Sequence, residues 1–190
     1  CDCFIIIPRI DIKDDALVGA VRFHDAQIDD ARHTVAVART AAAHGAAIAT
    51  RTAVVSLIRE DGRVVGAVIR DELTGREFET RARVVLGAAG VWTDDLLEMS
   101  GSSSQHAVRQ SKGIHLVVPR EAFPSTSALI ARTPTSVLFL LPWGRHWLIG
   151  TTDTDYTGSR SEPQVDEADV DYLLAEANKW LARPLTRDDV

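Results

Sequence analysis

The sequence predicts a mixed α+β or α/β chain built as two structural units, and three observations predict it. Two segments carry apolar residues at helical spacing, near the start and at the end of the chain. Between them, β-alternating segments fall into two groups, each stitched by turns that contain glycine. A side-chain-poor break at Gly87–Gly90 and a polar stretch at Gly101–Gln105 separate the groups. The expected bounds are a strand at 19–28 contributed to the second unit, a first unit at 29–107, and a second unit at 108–190 with its terminal helix.

Taken in order, Val21–Gln27 alternates Val21, Phe23 and Asp25 against Arg22, His24 and Ala26, as a short strand would. A helix follows over Asp29–His44, with Asp29 and Asp30 at its positive end and Gly45 as its left-handed stop. Ala31, Val35, Ala38 and Ala42 form its expected buried face. Val54–Arg59, Val64–Arg70 and Arg76–Leu86 read as a three-stranded meander, turning at Asp61-Gly62 and Thr74-Gly75. In the third strand Phe78, Thr80, Ala82, Val84 and Leu86 share the face expected in the core. Thr93 caps a short helix over Asp94–Ser100. The second group comprises Val108–Pro119, Ser127–Ala131, Val137–Trp143 and His146–Thr151, with Gly144-Arg145 joining the last two. A final helix over Asp166–Ala182 presents Val170, Leu173, Leu174, Ala177 and Leu181 on one side.

Length and charge set the outer limits. The chain has 190 residues, 45% of them apolar and 25% charged, enough to close a core. Twenty-one basic residues against 27 acidic ones leave a net charge of −6, without the basic footprint that neutralises phosphates in a nucleic-acid partner. The longest apolar runs, Phe4–Ile7 and Val137–Trp143, fall far short of a membrane span, and no signal-peptide pattern opens the chain. Cys1 and Cys3 read as free thiols at a frayed end, in keeping with a reducing cytoplasm. The chain opens without methionine, and a piece of something longer is expected.

Four features bear on chemistry. Gly87-Ala-Ala-Gly90 at a strand end lets a bulky ligand, a phosphate or a flavin, approach the backbone; close helix–strand packing explains the same residues without a ligand and is the favoured reading on local sequence alone. Lys112 and His115 set a cation and an imidazole three residues apart, on opposite faces of a strand unless Gly113 makes a bulge. Asp153, Asp155 and Gly158 imitate the opening of a calcium loop, but position twelve is Gln164, so a side-chain-bonded turn is expected. His24, His33, His44, His106 and His146 lack metal-ligand spacing, and no metal site is expected.

Five segments in order then carry a family resemblance: FHDAQIDDAR at Phe23–Arg32, AAGVWTD at Ala88–Asp94, KGIHLVVP at Lys112–Pro119, LPW at Leu141–Trp143 and GTTDTD at Gly150–Asp155. Together they resemble the FAD-dependent, respiratory glycerol-3-phosphate dehydrogenases over roughly residues 14–190. The resemblance implies a flavin oxidoreductase that converts sn-glycerol 3-phosphate to dihydroxyacetone phosphate and passes electrons to a quinone. It also implies an FAD-binding Rossmann-like domain (the helix and meander) interleaved with an antiparallel-sheet substrate domain. The whole protein would be cytoplasmic, peripheral at the inner face of a membrane, and compatible with a homodimer.

Carried over by residue, the resemblance sets Ala88, Ala89, Gly90 and Trp92 beside the FAD pyrophosphate and Val54 or Val55 beside the adenine. Lys112 and His115 would meet substrate, with His115 as the base for its hydroxyl proton. The family's opening G-x-G-x-x-G loop does not occur here, and the chain stops before its Gly-Val-Arg-Pro and Gly-Gly-Lys segments. A central fragment is therefore expected, inactive alone and without bound FAD. An arginine that relatives often carry before the Leu-Pro-Trp strand is Ser136 here. Two alternatives stand beside this reading: an FAD oxidoreductase of the amino-acid or amine oxidase type, and a standalone binding module.

Overall fold

The computed structural model describes Lys13 and residues 19–102, 108–134 and 136–190; the cysteines and most of the polar stretch after Gly101 lie outside the described residues. The chain divides into two units, Ala26–Val108 and a larger one formed by Arg109–Val190 with the chain up to Asp25.

In the smaller unit, helix α1 (Asp30–Ala43) starts where the Asp29 carboxylate accepts the Arg32 N–H at 3.0 Å, and the chain leaves it through Gly45 at φ +92°. None of its residues is buried, so the expected apolar face of Ala31, Val35, Ala38 and Ala42 is not covered. The stripe is mostly alanine, and its one larger member, Val35, is 57% exposed.

Strands β1 (Thr52–Glu60), β2 (Arg63–Asp71) and β3 (Glu77–Arg81) form the antiparallel meander. Asp61 and Gly62 both take positive φ, +48° and +77°, as a tight turn matching strand twist requires. β1 is interrupted between Val54 and Ser56, which pair with Ile69 and Val68 and leave Val55 outside the ladder as a bulge. Gly66 has to be glycine, because a Cβ there would lie 2.2 Å from the Thr80 carbonyl oxygen.

β3 ends at Arg81, five residues earlier than its alternation predicts. Arg81 pairs with Gly66 and the Ala82 N–H reaches the Val65 carbonyl, and the pairing stops there although β2 extends back to Arg63. Phe78, Val84 and Leu86 are 51%, 78% and 87% exposed, so the face expected in the core is uncovered among the described residues. A short 3-10 turn at Gly90–Trp92 leads into helix α2 (Thr93–Met99).

In the larger unit, β5 (His115–Pro119), β8 (His146–Gly150), β7 (Val137–Trp143) and β6 (Leu129–Arg132) form an antiparallel sheet in that spatial order. A separate pair joins β4 (Ser111–Lys112) to β9 (Thr154–Asp155). Residues Val21–Gln27 do not join the sheet: they have no regular structure, with Val21 and Phe23 about half exposed. Their alternation supplies only two large apolar side chains and no ladder partner, which is too little to fix a strand.

Helix α3 (Glu167–Asn178) covers one sheet face. Leu116, Val118, Leu138, Leu140, Trp147 and Ile149 meet Leu173, Ala177 and Leu181 there, all almost wholly buried. Trp147 anchors this core: it stacks on Phe123 at 4.1 Å, lies under the Arg120 guanidinium at 4.0 Å, and donates its indole N–H to the Arg120 carbonyl at 3.1 Å. Trp147→Ala is expected to destabilise this unit by about 3–5 kcal/mol. A denaturant titration of the variant checks this, and an unchanged midpoint would contradict the placement.

Candidate functional site

Strand alternation decides which residues of the Lys112–Pro119 segment can meet a ligand. Along β5, Leu116 and Val118 are buried under α3 while His115 and Val117 point to the opposite face. On that face His115 is paired with Gly150, and Gly150 in turn with Phe139. The next row is Val117, Leu148 and Leu141. An exposed imidazole therefore stands at the corner of an apolar, half-open sheet face. The glycine beside it matters: a Cβ at Gly150 would sit 2.7 Å from the His115 Cδ2 atom and 2.7 Å from the Ile114 carbonyl oxygen.

The backbone just before His115 is held from across the unit. The Thr152 hydroxyl accepts the Ile114 N–H at 3.0 Å and donates to the Lys112 carbonyl at 3.2 Å, straddling Gly113. Thr152 is 2% exposed. Gly113 is itself confined, since a Cβ there would meet the Thr151 hydroxyl at 2.6 Å.

Lys112 turns the other way. Its ammonium donates to the Asp166 carboxylate at 2.9 Å and the Gln164 carbonyl at 3.2 Å, and lies 2.5 Å from the Asp169 carboxylate. Lys112 and Asp169 are both buried. Asp166 and Asp169 also bond each other's backbone N–H groups as the capping box of α3. The hydrogen bonds from Asp169 and then Asp166 raise the Lys112 ammonium above its ordinary range, and the bond from Lys112 holds the Asp166 carboxyl below its own. The structure thus separates the two residues expected to meet substrate together: His115 faces outward and Lys112 is bound to the end of α3.

A cavity of about 640 Å³ opens beside this ion cluster, bordered by Asp153, Asp155, Tyr156 and Tyr172. Asp155 is paired with Arg109 at 2.6 Å, and the calcium-like segment forms the short strand β9 rather than a loop. Among the described residues no group of acidic, histidine or cysteine side chains could hold a metal ion. No helix among them is long and apolar enough to cross a membrane.

In the smaller unit the candidate cofactor residues lie on two features. Val55 is the bulge of β1 and Val54 precedes it, the ladder leaving Val55's backbone out of register. Ala88, Ala89 and Gly90 form an exposed to half-exposed ridge, with Trp92 44% exposed beyond it. Packing accounts for Gly87, where a Cβ would strike the Leu96 methyl at 2.5 Å. Gly90 differs: it takes φ +55°, and a Cβ there would meet nothing within 4 Å. The first turn of α2 carries Asp94 and Asp95, and Asp94 accepts the Val108 N–H at 2.9 Å, so that helix end already has its anions.

A flavin fits these residues in part. In the smaller unit, the bulged backbone at Val55 and the exposed small-residue segment Ala88–Gly90 suit a nucleotide. The α2 terminus does not suit a pyrophosphate.

Sequence reasoning missed Gly150, Thr152, Asp166 and Asp169 as neighbours of the KGIH segment. The Asp-x-x-Asp spacing announced a helix cap, yet nothing in it names a lysine 54 residues away.

The sequence matches the family described as FAD dependent oxidoreductase over residues 6–190. It is 48% identical over 179 residues to glycerol-3-phosphate dehydrogenase 2 of Mycobacterium tuberculosis, covering 94% of this chain and 31% of that protein. It is 37% identical to the human mitochondrial glycerol-3-phosphate dehydrogenase, covering 90% of this chain and 24% of that one. The crystal structure of the Bacillus halodurans glycerol-3-phosphate dehydrogenase complexed with FAD superposes with a TM-score of 0.79 at 38% identity, over 86% of this chain and 34% of that chain. The chain thus spans about a third or less of the relatives it matches.

The ion cluster gives a pH test. Lys112's raised value means its contribution is complete below the ordinary lysine range and is lost as pH climbs through the raised value. Asp166's lowered value means its contribution is complete above the ordinary aspartate range and is lost as pH falls through the lowered one. The denaturation midpoint is therefore expected to fall in strong acid and in strong alkali, and Lys112→Met to lower the plateau and blunt the alkaline fall. A variant midpoint that tracks the wild type at every pH would contradict the cluster.

Proposed function

The chain belongs to the family of FAD-dependent oxidoreductases, and from that membership we propose that it is part of an enzyme that oxidises sn-glycerol 3-phosphate to dihydroxyacetone phosphate. The observation that carries the reading is His115, exposed on an apolar sheet face within a chain 48% identical to a glycerol-3-phosphate dehydrogenase along nearly its whole length. In this reading Ala26–Val108 is part of a Rossmann-like FAD-binding domain, and the sheet of Arg109–Val190 is the substrate platform. Support for the first comes from the Val55 bulge and the open ridge at Ala88–Gly90; for the second, from the two-faced sheet.

FAD, when bound, supplies the acceptor for the hydride leaving C2 of the substrate. Val54 and Val55 would offer backbone groups to the adenine, and Ala88, Ala89, Gly90 and Trp92 would border the pyrophosphate through the segment ahead of α2 rather than through that helix's N–H groups. His115 takes the proton from the C2 hydroxyl oxygen as the C2–H bond breaks, so that the proton leaves oxygen and the hydride leaves carbon while the C=O bond forms. Val117, Leu148 and Phe139 make that face apolar, so a ligand covering it would displace water from it. Lys112 serves this site indirectly: with its charge committed to Asp166 and Asp169, it holds β4 to α3 rather than reaching the substrate phosphate.

The same reading delivers electrons to a quinone at a membrane surface, in a whole protein able to form a homodimer. The human relative is a mitochondrial protein.

His115→Ala in the whole flavin-loaded protein is expected to lower kcat with glycerol 3-phosphate by roughly 10²–10⁴-fold. Steady-state rates check this. A wild-type kcat in the variant would leave His115 a purely structural residue.

A further inference from the structure

A base works only if its nitrogen is held within hydrogen-bond reach of the proton it takes, and a misplacement of about 1 Å can cost on the order of 10²-fold. His115 opens β5, with Gly113 two residues behind it, and has no helix or long strand of its own to fix it. What fixes it comes from the other side of the ladder. Gly150 lies between His115 and Phe139 in one cross-strand row and contributes no side chain, so the imidazole occupies the space where a Cβ would be. Two residues on, the Thr152 hydroxyl bonds the backbone on both sides of Gly113 and sets the direction in which the chain enters His115. The hydroxyl is wholly enclosed, so no water can replace it without repacking.

We propose that Gly150 and Thr152 are positioning residues for His115: Gly150 leaves the seat for the imidazole, and Thr152 fixes the backbone that points the imidazole into it. This rests on the reading of His115 as the proton acceptor. The same juxtaposition accounts for three small or hydroxyl-bearing positions at once. Gly113 admits the Thr151–Thr152 segment, Gly150 admits the ring, and Thr152 is the only one of the three that contributes a polar side chain.

The chemistry predicts different effects for two single substitutions. Gly150→Ala pushes a methyl into Cδ2 of His115 and the Ile114 carbonyl, displacing the ring while leaving the hydroxyl bonds in place. Thr152→Val keeps shape and volume but leaves the Ile114 N–H and the Lys112 carbonyl without their partner. Thr152→Ser restores the hydroxyl and loses only a methyl group. A residue needed merely for packing would be served by valine at least as well as by serine.

The test has two readouts on the protein. Nuclear magnetic resonance of the His115 imidazole reports the ring's surroundings without any substrate or flavin chemistry. Steady-state kinetics of the flavin-loaded whole protein report kcat and KM separately. Both Gly150→Ala and Thr152→Val are expected to shift the His115 ring resonances and lower kcat roughly 10- to 100-fold with KM changed no more than about twofold. Thr152→Ser is expected to return both towards wild type. Unmoved ring resonances in a folded Gly150→Ala or Thr152→Val protein would overturn the proposal. So would a Thr152→Val protein indistinguishable from Thr152→Ser, or loss of the whole sheet in both variants, since the assigned effect is local. His115→Ala separates the two layers. If that variant keeps full activity the base assignment fails, while the ring resonances still decide whether Gly150 and Thr152 hold the imidazole.

Discussion

An ammonium group removed from water needs oxygen atoms around it, and the need of Lys112 for them organises the larger unit. Its ammonium reaches the Asp166 and Asp169 carboxylates and the Gln164 carbonyl, all at the start of α3. Removing the Lys112 charge would leave the buried Asp169 carboxylate without its ion partner, which is far costlier than never burying the pair at all. The consequence is mechanical. β4, and with it the backbone leading into His115, is tied to the end of the helix that roofs the sheet. The capping box of that helix uses the same two aspartates, so helix start and strand position are fixed by one set of atoms.

The sheet then presents two unlike faces. The one under α3 is dry and filled with Leu116, Leu138, Leu140, Trp147 and Ile149. The other is open, apolar in its middle rows, and holds the imidazole at its corner beside a glycine. Such asymmetry suits a binding platform: one face is held by packing, so the other can offer fixed positions to a ligand without a loop's mobility.

Much of this arrangement was legible in the sequence, and the gaps have physical causes. Turn chemistry and alternation marked the meander and the β7–β8 hairpin, because Asp61-Gly62 and Gly144 are local requirements of tight turns. Odd spacing on an extended chain allowed Lys112 and His115 to face apart, but their division between two strands, β4 and β5, in separate sheets was not legible. What could not be read were properties set by distant residues. The end of β3 and the exposure of α1 both depend on which surfaces meet them. Val21–Gln27 has the pattern of a strand and no partner edge. At the candidate site, His115 was visible because a motif carried it; Gly150 and Thr152 were not, because their importance lies in a contact between segments nearly forty residues apart.

The spacing of these contacts along the chain also orders events in time. The meander closes through turns of a few residues, with β1 and β2 joined at Asp61-Gly62, so its chain-entropy cost is small and its hairpins can zip from the turn outward. The Lys112 cluster needs residues 54 positions apart to meet, and the Thr152 bonds need 38 and 40. Local pairing should therefore precede the closure that seats the imidazole. In a chain emerging from a ribosome, the smaller unit has all its strands before Asp166 and Asp169 have been made. The alignment of the chemistry is thus among the last things this sequence acquires.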